Sequence, residues 1–199
     1  MIAAASDELG RLDAVAGDGD HGLGMQRGLT AAVEAAEQAS TAGVGIGTLL
    51  AVAGDAWSHR AGGTSGALWG VLLHRLGDAL GDLHVPTAPR VATAVAAALR
   101  GVTESGKAQV GDKTMVDALD PFARALAAAT GDGQPLRLAW STAADAASQS
   151  AHATAALTPK LGRARPHAQR SVGTPDPGAI SMAMILRAVG EVLTKRGCN

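Results

Sequence analysis

An all-α fold of about eight amphipathic helices is predicted by three features of this 199-residue chain. It contains 44 alanines, 26 glycines, one Phe, no Tyr and only four Ile. Alanine is the strongest helix former, whereas β-branched and aromatic residues are what half-buried strands prefer, so an all-β fold is excluded. Apolar residues make up 47% of the chain and charged ones 18%, enough to build a core and too apolar for disorder. Apolar residues also recur at helical spacing between Gly- and Pro-rich punctuation, with connections short enough to make neighbours antiparallel.

The elements follow in order. A first helix is expected from about residue 3 to 15, stopping at Gly17-Asp18-Gly19-Asp20, and a second from 23 to 40, stopping at Ala42-Gly43. The third, 46 to 60, carries Leu49, Leu50, Ala53 and Trp57 on one stripe and ends at Gly62-Gly63. Thr64 or Ser65 is the expected N-cap of the fourth, which places Leu68, Leu72, Leu76 and Leu80 four apart. Pro86 and Pro89 bracket the entry to an Ala-rich fifth helix reaching about residue 105. Asp112 or Thr114 opens the sixth, to about 130, and Gly131-Asp132-Gly133 is a turn. The seventh runs from about 136 to 157. A long irregular stretch, 158 to 175, precedes a last helix with Pro177 in its first turn. Abundant Ala and Gly would let these helices approach closely. One domain spanning residues 1–199 is expected.

Seventeen basic residues against eighteen acidic ones leave a net charge of −1, which argues against a nucleic-acid binder. A single cysteine, Cys198, excludes an internal disulfide framework and suits a reducing compartment. The N-terminus has no basic region of a secretory signal, and no apolar run reaches the ~20 residues of a membrane span. A cytoplasmic protein without membrane partners is the expectation.

Four segments carry candidate chemistry. In Asp13-Ala-Val-Ala-Gly-Asp18-Gly-Asp20-His21-Gly22, three carboxylates fall at i, i+5 and i+7 with glycines between them. Converging carboxylates repel unless a cation neutralises them, and Mg2+ takes oxygen ligands while also binding phosphates. The plain alternative is a solvated Asp-Gly turn. The spacing is not that of an EF-hand. Gly62-Gly63-Thr64-Ser65-Gly66 opens a helix, where backbone N–H groups and a hydroxyl can take an anion, although a simple Gly-rich helix entry reads the same way. Gly106 to Met115 reads as a capped helix start. The stretch from Gly162-Arg163-Ala-Arg165 through Arg170-Ser171-Val-Gly173-Thr174-Pro-Asp176-Pro177-Gly178-Ala179 is basic enough to meet a polyphosphate, or to be a solvated loop.

In this order GDGDHG, GGTSGALWG, GDKTMVDAL and GRA…RSVGTPDPGA resemble the successive signatures of the nucleotide-binding L subunit of dihydroxyacetone kinases. The same DhaL-type module forms the C-terminal domain of single-chain, ATP-dependent dihydroxyacetone kinases. The resemblance runs from about residue 12 to the C-terminus. It implies a closed barrel of antiparallel helices with a nucleotide, ADP or ATP, at one end. It also implies two Mg2+ ions held by Asp13, Asp18 and Asp20. His21, Gly22, Leu23 and Gly24 would lie against the nucleotide, Thr64 and Ser65 would contact phosphates, and Gly106 and Met115 would border the base. Arg163 and the Asp176-Pro177-Gly178 turn would close the site.

No catalytic nucleophile is implied. In the family the ketone sits on a separate K subunit or domain, bound covalently through a histidine. This chain therefore reads as half an enzyme, with that K subunit as partner. The phosphoryl donor is ATP or a phosphotransferase-system protein. A different small ketose or polyol as acceptor, or an ADP-binding regulatory module without turnover, are the alternatives. Two departures stand out. Gly24 replaces the family's usual Asn. Only twelve residues precede Asp13, whereas the family usually has about one more helix upstream, so the chain reads as trimmed, as a domain of a longer protein or as a shortened homologue, and a homodimer or partner would cover the surface that a missing wall helix would expose.

Overall fold

The computed structural model describes residues 1–162 and 164–196. Among them there is no strand, and nine α-helices with two 3-10 turns account for the regular structure. Eight of the nine have thirteen or more residues, as the punctuation predicts. The chain divides into two compact units. One comprises Met1–Gly22 with Ala108–Asn199, the other Leu23–Lys107.

The first unit holds α1 (Ile2–Ala14), α6 (Val116–Gly131), α7 (Leu136–Ala153), the four-residue α8 (Ala168–Ser171) and α9 (Pro177–Lys195). α6 packs on α7, and α9 packs on α7, α1 and α6. Its core is small-walled: α7 buries Ala139, Ala143, Ala147 and Ala151 completely, so neighbouring backbones come close around a few large groups. Phe122 meets Trp140 edge-to-face at 4.8 Å between ring centroids. The Trp140 indole N–H, which would be costly to bury unpaired, donates to the Leu186 carbonyl at 2.8 Å. α9, at 19 residues and mean hydropathy 1.2, is by composition apolar enough to cross a membrane, which the sequence reading did not anticipate. Here one face of it, with Ala179, Met182, Ala183 and Leu186, packs into the core. The stretch expected to be irregular is broken by a 3-10 turn at Arg165–His167 and by α8.

The second unit holds most of α2 (His21–Thr41), with α3 (Ile46–Ala61), α4 (Gly63–Leu80) and α5 (Ala88–Gly106), and α4 packs on both α3 and α5. α3 and α4 meet through reciprocal glycines. A Cβ at Gly54 would lie 3.0 Å from the Gly70 carbonyl oxygen, and one at Gly77 would lie 2.6 Å from that of Gly47. The two glycines on each helix, Gly47 and Gly54 on α3 and Gly70 and Gly77 on α4, are seven residues apart, which keeps both contacts on one helix face. Trp57 of α3 and Trp69 of α4 stack at 4.7 Å. The hairpin turns on Gly62 and Gly63, whose φ values of +68° and +63° an L side chain would resist.

Candidate functional site

The carboxylate cluster is built at the end of α1. One oxygen each from Asp13, Asp18 and Asp20 lies within 4.8 Å of the others. Asp13, half-buried, organises the turn: its Oδ2 accepts the Gly19 N–H at 2.9 Å and the His21 N–H at 3.4 Å. Gly19, at φ +80°, lets the chain reverse between the two exposed carboxylates, and a Cβ at Gly17 would collide with the Asp13 side chain. Unit charges about 4.8 Å apart repel by about 1 kcal/mol in water and about 3 at an effective dielectric near 20. A hard divalent cation reverses that sign. Oxygens around Mg2+ at about 2.1 Å are about 3–4 Å apart, so the cluster's spread and all-oxygen donor set fit such an ion.

His21 starts α2 and links this cluster to the N-terminus of α9. Its Nε2 lies 3.0 Å from Ser181 Oγ, and it hydrogen-bonds the backbone at Pro177. Burial lowers its pKa below the usual value, opposed by the Asp13 charge and the Pro177 bond. Burial thus favours the neutral ring, which offers one N–H donor and one acceptor nitrogen. Gly22 packs against α1 so closely that a Cβ would strike the Ser6 carbonyl.

The Asp176-Pro177-Gly178 turn opens α9 as the sequence predicts, with Asp176 at the cap and Pro177 in the first turn. Asp176 Oδ2 accepts the Ala179 N–H at 2.7 Å, and the Asp176 N–H donates to Thr154 Oγ1 at 2.8 Å. Burial pushes the Asp176 carboxyl up to about 7; hydrogen bonding from Ala179 opposes this, the Asp117 charge adds to it and Lys113 counters it. Met115 meets this turn: a Cβ on Gly178 would lie 3.6 Å from the Met115 nitrogen.

The segment before α6 departs from expectation. α6 begins at Val116 rather than at Asp112 or Thr114. Thr114 still prepares its start, because its Oγ1 accepts the Val116 N–H at 3.2 Å. Asp112 instead accepts the Gln109 N–H and pairs with Lys160 at 3.2 Å. Asp117, buried, bonds back to the Gly111 N–H at 2.6 Å and the Thr114 N–H at 2.7 Å. Sequence reasoning assigned Asp117 no role, although Thr114-x-x-Asp117 has the spacing of a capping box. Ser181 and Lys113 were also passed over, because their partners lie far away in sequence.

In the second unit, Gly62 is the N-cap of α4 and no side chain caps that helix, which corrects the expected capping by Thr64 or Ser65. Both lie in the first turn of α4, Thr64 exposed and Ser65 half-buried, where N–H groups have no helical carbonyl partner. Leu23 is exposed; a Cβ on Gly24 would reach 3.4 Å from the Ala61 carbonyl. Gly106 ends α5, and Lys107 beyond it takes the left-handed conformation at φ +50°. Arg163 lies outside the described residues, as does Cys198.

Comparison with known proteins agrees with the motif order. Residues 15–191 match the DAK2 domain. The chain is 54% identical over 193 residues to an L-erythrulose kinase of Pectobacterium atrosepticum, covering 97% of this chain and 33% of that protein. It is 32% identical to the ADP-binding subunit DhaL of a PEP-dependent dihydroxyacetone kinase of Listeria innocua, covering 98% and 90% of the two chains. The fold matches the dihydroxyacetone kinase of C. freundii crystallised with AMP-PNP and Mg2+ at a TM-score of 0.66 and 27% identity, over 96% of this chain and 31% of that one. The chain thus spans about a third of the length of the erythrulose kinase it matches.

Proposed function

The chain belongs to the DAK2 domain family, in its DhaL-type branch, and from that premise we propose that it is the nucleotide-holding part of a ketose kinase. Residues 1–199 act in this reading as one module that presents a phosphoryl donor to a small ketose bound elsewhere. The acceptor is a dihydroxyacetone-like sugar, with four-carbon erythrulose ahead of dihydroxyacetone, because the 54%-identical relative is an erythrulose kinase and the DhaL subunit is only 32% identical. The donor is ATP, in keeping with the AMP-PNP complex of the structural relative. A phosphotransferase-system donor is the other outcome of the test below.

The observation that carries the reading is the convergence of Asp13, Asp18 and Asp20 within 4.8 Å. Mg2+ bound there supplies charge neutralisation for the nucleotide phosphates. Asp13 holds the turn in shape through two backbone N–H groups, so little reorganisation is needed on binding. His21 and Gly22, beside that turn, and Leu23 and Gly24 of the same helix lie along the nucleotide. Thr64 and Ser65 donate to phosphate from a helix N-terminus, where the dipole favours negative charge. Gly106 and Met115 border the base, and Asp176, Pro177 and Gly178, with Arg163, close over it. Phosphoryl transfer asks a protein mainly for positioning and charge compensation, so this residue set needs no nucleophile.

Asp18→Asn and Asp20→Asn should each weaken ADP binding in excess Mg2+ by about 100-fold or more while leaving helical content unchanged, since each removes one of three ligand charges. Isothermal calorimetry and far-UV circular dichroism read the two effects. Unchanged affinity in both variants would overturn the metal assignment. A coupled assay then mixes the chain with a ketose-binding K subunit, and offers erythrulose or dihydroxyacetone with ATP or a phosphotransferase-system donor. The chain alone should be inactive, because alignment of acceptor and donor supplies ~7–11 kcal/mol of such a barrier. Binding of Mg–ADP without turnover in any combination would favour the regulatory module.

A further inference from the structure

We propose that Lys113 is a positioning residue: its buried ammonium ties the two ends of the 157–171 loop to the Gly111–Thr114 turn and so holds the Asp176-Pro177-Gly178 turn in place. Nothing in the family's motifs as read above gives Lys113 a role. The residue is 4% exposed. Its Nζ donates to the Leu157 carbonyl at 3.1 Å and to the Ser171 carbonyl at 2.6 Å. Two carbonyls fourteen residues apart thus converge on one cation. An ammonium has three donors and no acceptor, so it can take both carbonyls, that of Ser171 in addition to the Thr174 N–H it already accepts at 3.1 Å.

The surrounding bonds make this a junction rather than an isolated contact. The Lys160 N–H donates to the Asp112 carbonyl at 3.2 Å, and the Gly173 N–H to the Ala155 carbonyl at 2.8 Å. Asp176 is anchored to Thr154 at the base of the same loop. The turn carrying Lys113 is itself pinned by Asp117 through Gly111 and Thr114. A chain of direct bonds therefore runs from α6 through Lys113 to Ser171, five residues before the Asp176 cap. Burying a charge is costly, and an apolar side chain would fill the space more cheaply. What an apolar group lacks is the ability to hold both carbonyls at once. Lys160, by contrast, makes an ion pair with Asp112 that is open to solvent on the lysine side.

The effect on nucleotide rests on the proposed function; the strut itself does not. Lys113→Met should raise amide exchange of residues 157–162 and 164–174 at least tenfold, with Lys113→Gln, which keeps one donor, in between. Lys160→Ala should change it less than twofold. In the same variants Mg–ADP affinity should fall at least tenfold for Lys113→Met, while Mn2+ binding without nucleotide, read by electron paramagnetic resonance, stays within twofold. Exchange within twofold of the parent protein in folded Lys113→Met and Lys113→Gln would overturn the strut. Loosened exchange with unchanged Mg–ADP affinity would overturn its bearing on the site. A parent protein that fails to bind Mg–ADP overturns the proposed function and leaves the exchange test standing. Where neither variant folds, native-state exchange of the parent decides: amides of 157–162 should open in the same step as those of 111–114, and separate opening overturns the proposal.

Discussion

The two units solve the same problem, holding a chain reversal beside a candidate ligand site, by opposite means. In the first, side chains bond to backbone. Asp13 gathers the Gly19 and His21 amides, Asp117 gathers those of Gly111 and Thr114, and Lys113 gathers two carbonyls. In the second, the α3–α4 hairpin has no cap side chain; it closes through Gly62, and its helices interlock through the Gly47–Gly77 and Gly54–Gly70 contacts. Polar cross-links fix a loop that must meet charge, at the cost of buried ionisable groups. Steric interlock sets the approach of the helix pair and tolerates no added atom; the polar links across it, Asp55–His74 at 2.8 Å and Asp82 on Thr48, are exposed rather than buried.

The contrast can be broken on either side. Asp117→Ala leaves two backbone N–H groups without their carboxylate, and should destabilise the protein by about 3 kcal/mol. Chemical denaturation measures this, and a loss below 1 kcal/mol would mean that other groups take over the turn. Gly77→Ala brings a Cβ to 2.6 Å of the Gly47 carbonyl, in the face of the better helix propensity of alanine. A net destabilisation of about 2 kcal/mol is expected, because backbone cannot rotate aside as a side chain can. Calorimetric melting would show it, and a stabilised variant would refute the interlock.

Two further changes sharpen the comparison. Burial pushes the Asp176 carboxyl up to about 7 in the folded protein, above the 3.8 of an ordinary aspartate. Between these values the folded state retains a proton that the unfolded chain has released. Its contribution to stability is therefore full below about pH 4, declines as pH rises to 7 and is flat beyond. Asp176→Asn keeps an oxygen for the Ala179 amide and should flatten that decline, gaining on the order of 1–2 kcal/mol relative to the parent at pH 8. Parallel stability–pH curves for the two proteins would contradict it. In the other unit Ser65 does not cap α4, so Ser65→Ala should shift stability by less than about 0.5 kcal/mol. Its loss should still weaken Mg–ADP binding by about 1 kcal/mol, through a charge-assisted bond to phosphate. Equal melting shifts with and without Mg–ADP would assign the serine a structural role only.

Much of this was legible in residue order. Asp176-Pro177 announces a helix start through local chemistry alone, and α9 begins there. The Asp13, Asp18 and Asp20 spacing suggests convergence because the intervening glycines leave few ways for the chain to run. Thr64 and Ser65 misled as caps because either hydroxyl can bond a first-turn amide, whereas Gly62 at φ +68° starts the helix without one. The quieter failure was Asp112. An acidic residue before a helix reads as a cap, yet a lysine 48 residues later pairs with it.

What the sequence determined by itself is the helical class, the eight long helices and the acidic turn, because propensity, punctuation and close spacing act within a few residues. Only the tertiary structure decided which glycines interlock, that Lys113 meets Leu157 and Ser171, and that Asp176 holds its proton near neutrality. Those outcomes depend on desolvation and on contacts between residues from 16 to 58 positions apart, and neither is encoded in any local window.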